Sequence, residues 1–212
     1  VCSGYQHNDS FPGSHPLAVG PLGYNGSKAA MELISKADVV LALGTRLNPF
    51  STLPGYGIDY WPKNANIIQV DINSDRIGLT KKVTVGIEGD AKQVAKQILD
   101  KLSSNAGDIG REERKNLIHK TKSAWLQTLT SLDHEDDDPG TVWNKEARER
   151  DKDRMSPRQA WRAIQAAMPD EVIISSDIGN NCAIGNAYPT FEKPRKYLAP
   201  GLFGPCGYGF PS

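Results

Sequence analysis

The sequence predicts an α/β fold: a central doubly wound parallel-sheet domain, followed by the truncated start of a second α/β domain. Three observations predict it. Short continuous apolar runs, such as Asp38-Val-Val-Leu-Ala-Leu-Gly44 and Ile67-Ile-Gln-Val-Asp-Ile72, have the pattern of strands covered on both faces of a parallel sheet. Segments with helical apolar periodicity alternate with these runs. The same alternation resumes after a charged stretch, poor in apolar residues, at 133–155.

Composition narrows the function classes. A chain of 212 residues holds one large or two modest domains. A formal net charge of zero supplies no bulk basic field for nucleic acid or an anionic membrane. No apolar run reaches the length of a membrane span. Cys2, Cys182 and Cys206 are far apart and form no CxxC or Cys/His spacing with the four histidines, so no metal ligands are assigned. This cysteine usage reads as a reduced, cytoplasmic compartment. The chain opens on Val1-Cys-Ser-Gly and closes on Gly207-Tyr-Gly-Phe-Pro-Ser, which reads as the lead-in to a further helix. Both ends read as the interior of a longer protein.

The first domain is expected over 1–132. Residues 1–26, rich in Gly, Pro, Ser and His, read as loop. Ser27 is placed to cap a helix whose apolar face is Ala30, Leu33, Ile34 and Ala37. The run 38–44 is the first buried strand, 45–62 a long loop, 67–72 a second strand and 83–87 a third. Asp90, with Gln93 three residues on, starts a helix with Val94, Ile98, Leu99 and Leu102 on its buried face. A longer helix over 112–132 puts Leu117, Thr121, Trp125, Thr128 and Leu132 on one side. The block Asp133-His-Glu-Asp-Asp-Asp138 with Pro139-Gly140 makes 133–155 a solvated linker, with a weak metal or basic-partner site as the other reading. The second domain begins at Ser156-Pro157-Arg158-Gln159, a capped helix start. Ala160, Trp161, Ile164, Ala167 and Met168 are its apolar face. The run 171–175 is a further buried strand, 176–183 turns into the next helix, and Tyr197-Leu198 belongs to another strand.

Five features bear on chemistry. Ser176-Asp177-Ile178-Gly179-Asn180-Asn181 lies between a strand and a helix. There Gly179 allows close backbone approach, and the free N–H groups and dipole of the helix start favour an anion such as a phosphate; Asn180 and Asn181 add donors. The plain alternative is an N-capped turn. Gly20, Gly23 and Gly26 invite a dinucleotide reading, but the spacing is GxxGxxG and no strand precedes it. Asp71 ends a strand, where it is either a ribose-binding acid or a turn residue. His7 and His15 flank a Gly/Pro loop and read as solvent-facing, with substrate contact as the alternative. Cys206, in Gly-Pro-Cys-Gly, has no adjacent base and reads as packing rather than as a nucleophile.

The order Ser176-Asp-Ile-Gly-Asn-Asn181, then Gly201-Leu-Phe-Gly-Pro-Cys-Gly-Tyr-Gly-Phe-Pro211, resembles thiamine-diphosphate enzymes of the acetolactate synthase type, at the start of their pyrophosphate-binding domain. Gly20-Pro-Leu-Gly-Tyr-Asn-Gly-Ser, Ala37-Asp-Val-Val-Leu-Ala-Leu-Gly-Thr-Arg46, Ile68-Gln-Val-Asp-Ile and Ile87-Glu-Gly-Asp90 are similar to their central domain. Asn48-Pro-Phe, Tyr60-Trp-Pro and Phe203-Gly-Pro-Cys-Gly-Tyr resemble the branch acting on sulfoacetaldehyde.

The resemblance implies thiamine diphosphate and Mg2+ as cofactors, with Gly179, Asn180 and Asn181 holding the diphosphate. Gly204 would offer its carbonyl, and Cys206 its N–H, to the aminopyrimidine. Cys206 stands where relatives carry a bulky apolar side chain. The magnesium motif and the activating glutamate are expected outside these residues, so no catalytic residue is named and the isolated chain is expected to be inactive. The implied reaction converts sulfoacetaldehyde and phosphate to acetyl phosphate and sulfite in a homodimer or homotetramer. An acetolactate synthase or other carboligase is one alternative, and a flavin- or nicotinamide-binding module over 1–132 is another.

Overall fold

A computed structural model describes residues 1–102, 109–131, 153–155, 157–200 and 204–210, with Asn181 described by its backbone. The fold is α/β with parallel strands. In chain order the first unit contains α1 (Lys28–Ile34), β1 (Val39–Leu43), α2 (Pro49–Thr52), β2 (Asn66–Asp71), a 3-10 turn (Ser74–Arg76), β3 (Val85–Glu88), α3 (Ala91–Lys101) and α4 (Arg111–Ser131). The second contains α5 (Pro157–Ala167), β4 (Ile174–Ser175), α6 (Asn180–Ala187) and β5 (Tyr197–Leu198).

The first sheet has the order β1-β2-β3, all parallel, with Val40 opposite Ile67 and Val70 opposite Ile87. β2 is its central strand and matches expectation, since Ile67, Gln69, Val70 and Asp71 are all buried. Gln69 is satisfied inside: its amide donates to the Thr45 carbonyl at 3.0 Å and to that of Arg76 at 3.2 Å, and its Oε1 accepts from Gly78 N at 2.9 Å. A buried amide is tolerated because all these groups are paired.

β1 differs from expectation. Only Ala42 is buried, while Val39, Leu41 and Leu43 are exposed. β1 is an edge strand among the described residues, and its odd-numbered side chains alternate onto an open face. The segment 45–62 is not all loop. Asn48 accepts from Phe50 N at 2.8 Å and caps the short α2, with Pro49 at its first position. β3 begins two residues later than expected and reaches Glu88.

Both expected caps form. Ser27 accepts from Ala30 N at 3.2 Å, and Asp90 from Gln93 N at 2.9 Å. The faces behind them are shallower than the periodicity implied. α1 buries Ala29, Ala30 and Met31, with Leu33 and Ile34 half-buried. α3 buries no residue fully, and Leu99 and Leu102 are exposed. α4 matches expectation in part: Thr121 and Trp125 are half-buried, together with Ile118, Lys122, Ser123 and Leu129, while Leu117 and Thr128 face out. Ile118 packs on the main core, and Trp125 meets Tyr56 edge-on with centroids 5.4 Å apart. This side of α4 docks onto α1 through the contact between the two helices. Leu132 lies outside the described residues.

The main core gathers Val19, Leu22, Ala30, Met31 and Tyr60. A second cluster of Ala42, Leu47 and Ile67 sits under the sheet, and Trp61 touches both. The Tyr60 hydroxyl donates to the Ser51 carbonyl at 3.0 Å. In the second unit the expected strand over 171–175 shrinks to β4, with Ile173 exposed. β4 pairs in parallel with β5, Ile174 opposite Tyr197. The linker expected at 133–155 lies outside the described residues except for 153–155, as does the expected cap Ser156.

Candidate functional site

Two segments far apart in sequence meet at the end of β4. The first is the turn from β4 into α6. Its Gly179 has φ 95° and ψ −151°, a region open essentially to glycine alone. Among the described residues, a Cβ built there meets nothing within 4 Å, so they leave the space beside this backbone open. α6 begins at Asn180, and among the described residues no side chain caps its start. An uncapped helix start next to open space can receive an anion on its N–H groups. Gly179 and Asn180 are exposed.

The second segment is the turn over 204–210. The Asp177 carboxylate joins the two: both of its oxygens lie 3.0 Å from Gly207 N, which donates to them. Oδ1 also accepts from Ile178 N at 2.7 Å. A Cβ at Gly209 would stand 3.0 Å from Asp177 N, so the backbones approach closely because Gly209 has no side chain. Gly204 lies beside Ile178, where a Cβ would be 3.4 Å from Ile178 Cγ1. Of the expected site residues, Gly179 and Asn180 therefore stand on one side of this junction. Gly204 and Cys206 stand on the other, the cysteine exposed and free. The Asn181 side chain is outside the description.

The remaining candidates resolve differently. Gly23 and Gly26 serve packing: a Cβ on Gly23 would overlap the Phe50 carbonyl oxygen, and one on Gly26 would lie 2.5 Å from the Pro21 carbonyl oxygen. The carboxylate of Asp71 accepts from Asn73 N at 2.9 Å, which is the turn role. His7 and His15 are exposed, and His15 Nδ1 accepts from Leu17 N at 3.1 Å. Among the described residues no group of three or more His, Cys, Asp or Glu side chains could hold a metal ion. No described helix is long and apolar enough to cross a membrane.

Sequence reasoning did not single out what lies behind the junction. Gln6, Asn8 and Asp9 of the first loop are buried against the second unit. Asp9 Oδ2 accepts from Lys196 N at 2.9 Å and Tyr197 N at 3.2 Å. Asn8 Nδ2 donates to the Pro189 carbonyl at 2.9 Å, and Gly13 N to that of Phe191 at 2.8 Å. These partners are more than 170 residues apart in the chain, beyond any local signal. Asp177, by contrast, sat inside the quoted strand-turn-helix motif, and a short acid two residues before a glycine was its only cue. Tyr5 is held neutral by burial, and its hydroxyl is 3.6 Å from Cys182 Sγ.

The comparisons agree with this architecture. The family described as "Thiamine pyrophosphate enzyme, central domain" matches residues 1–98. A probable sulfoacetaldehyde acetyltransferase of Rhizobium meliloti is 82% identical over 212 residues, covering 100% of this chain and 36% of its own length. The sulfoacetaldehyde acetyltransferase of Roseovarius nubinhibens is 78% identical, covering 100% and 35%. A probable acetolactate synthase large subunit of Methanococcus aeolicus is 29% identical over 217 residues, covering 100% and 34%. The chain thus spans about a third of the length of the curated relatives it matches. Residues 1–98 thus match the central domain of thiamine pyrophosphate enzymes, and the chain is similar from end to end to sulfoacetaldehyde acetyltransferases.

Proposed function

We propose that this chain is a segment of a thiamine-diphosphate-dependent sulfoacetaldehyde acetyltransferase, in which residues 156–212 begin the pyrophosphate-binding domain. The observation that carries this reading is the Asp177 junction: it sets an uncapped helix start, a Gly-only turn with open space beside it, and the 204–210 turn side by side. Identity of 78% and 82% over the full chain favours the acetyltransferase over the acetolactate synthase, at 29%.

In this reading the backbone N–H groups at Asn180 and Asn181 hold the diphosphate, with Gly179 allowing its approach. Gly204 accepts from the aminopyrimidine through its carbonyl, and Cys206 offers its N–H. When bound, the cofactor supplies a carbanion and an electron sink; this chain supplies placement. Mg2+ offsets the diphosphate charge, on ligands elsewhere in the full-length protein. The domain division is 1–132, linker 133–155 and 156–212. The docking of α4 on α1 supports including 111–131 in the first domain. The assembly is a homodimer or homotetramer.

The test is product formation by the full-length protein with thiamine diphosphate, Mg2+, sulfoacetaldehyde and phosphate. Sulfite and acetyl phosphate should appear in equal amounts. Acetolactate from pyruvate, with no sulfite from sulfoacetaldehyde, would replace this reading with the carboligase one.

A further inference from the structure

Gln6 is the point where the first loop grips both arms of the candidate site. It is 4% exposed, and its φ is 64°, a left-handed conformation that is strained for a residue with a Cβ. Such backbone persists where its surroundings over-determine it. Here they do. Gln6 N donates to Asn186 Oδ1 at 2.7 Å, its side-chain amide donates to the Pro200 carbonyl at 3.1 Å, and the same nitrogen donates to Cys182 Sγ. Asn186, fully buried, in turn donates to the Tyr24 carbonyl at 2.9 Å. One residue thus reaches the first turn of α6, its last turn, and the segment that follows β5.

These anchors continue directly into the site. Cys182 follows Asn181, and Gly204 is four residues past Pro200. Asp177 ties the arms together at the front, and Gln6 ties them behind. We propose that Gln6 is a positioning residue for the diphosphate cofactor, setting the separation of the Gly179–Asn181 turn from the segment carrying Gly204 and Cys206. This inference rests on the thiamine-diphosphate reading. It assigns a cofactor-organising role to the central domain's first loop, from a residue that does not touch the cofactor.

The experiment titrates thiamine diphosphate, with saturating Mg2+, into the full-length protein and follows intrinsic fluorescence. Gln6→Met keeps length and removes both side-chain bonds. It should raise the cofactor Kd about tenfold, as expected for a buried hydrogen-bonded group left unpaired, while kcat at saturating cofactor stays within about threefold. Ser14→Ala removes the hydroxyl bond to Glu192 at the same inter-unit contact, away from the site. It should leave Kd unchanged even if the melting temperature falls. Should Gln6→Met not fold, Gln6→Asn carries the test: it suits the left-handed backbone but is too short to reach Pro200, and the same weakening is expected. Wild-type Kd in the Gln6 variants, or equal weakening by Ser14→Ala, overturns the inference alone. No cofactor binding by the wild-type protein overturns the thiamine-diphosphate reading and this inference with it.

Discussion

Burial holds two tyrosines neutral well above the usual phenol range, and this couples their ionisation to folding. Tyr60 and Tyr197 are each pushed from 10.0 up to about 12. The folded state therefore keeps these protons between pH 10 and 12 while the unfolded chain loses them, so stability falls as pH rises through that window. Absorbance at 295 nm should show these two groups ionising only together with unfolding. Their titration near pH 10 in a folded protein would contradict the burial. Cys206, exposed in this chain, sits where the cofactor is proposed, and its proposed role is one of shape. Cys206→Ser in the full-length protein should keep most acetyl phosphate formation, whereas Cys206→Asp, which sets a charge against an apolar ring, should cost far more. A Ser variant as inactive as the Asp variant, yet still binding cofactor, would mean thiol chemistry. At this scale the sequence was readable where the signal is local: Ser27, Asp90 and Gly179 were placed from their neighbours alone. Gln6 and Asn186 were not, because their partners come from the other end of the chain.

The parallel strands and capped helices were legible because each has a short-range cause: a run of β-formers, a cap, a breaker. What failed was depth of burial. The apolar faces of β1, α3 and α4 were expected to be covered, yet Val39, Leu41, Leu99 and Leu117 are exposed, since periodicity shows which residues share a face but not what lies opposite. Helix α6 gives a sharper test of packing. A Cβ on its Gly185 would collide with the Tyr197 hydroxyl, which is buried and has no hydrogen-bond partner among the described residues. Gly185→Ala should cost about 1–3 kcal/mol by overpacking. Tyr197→Phe alone should be close to neutral, because it removes an unsatisfied group, and it should recover much of the loss in the double variant. Urea denaturation of the four proteins measures this; additive losses would show that the two sites do not touch.

At the scale of the molecule, the two units are held by loop 1–27 as well as by the chain between them. Gln6, Asn8, Asp9 and Gly13 all bond across. The charged stretch 133–155 should therefore be cut first in limited proteolysis while the halves stay associated. Primary cleavage within 38–44 or 171–175 would overturn the domain division. The central claim is that the turn at Gly179 receives the diphosphate, and Gly179→Ala tests it most directly. The added methyl meets no atom of the described residues within 4 Å, so the fold should lose only the backbone strain, about 1–3 kcal/mol. The methyl would occupy the space proposed for the cofactor, so thiamine diphosphate affinity of the full-length protein should fall by about tenfold or more. A folded Gly179→Ala variant that binds the cofactor as tightly as wild type would contradict the account.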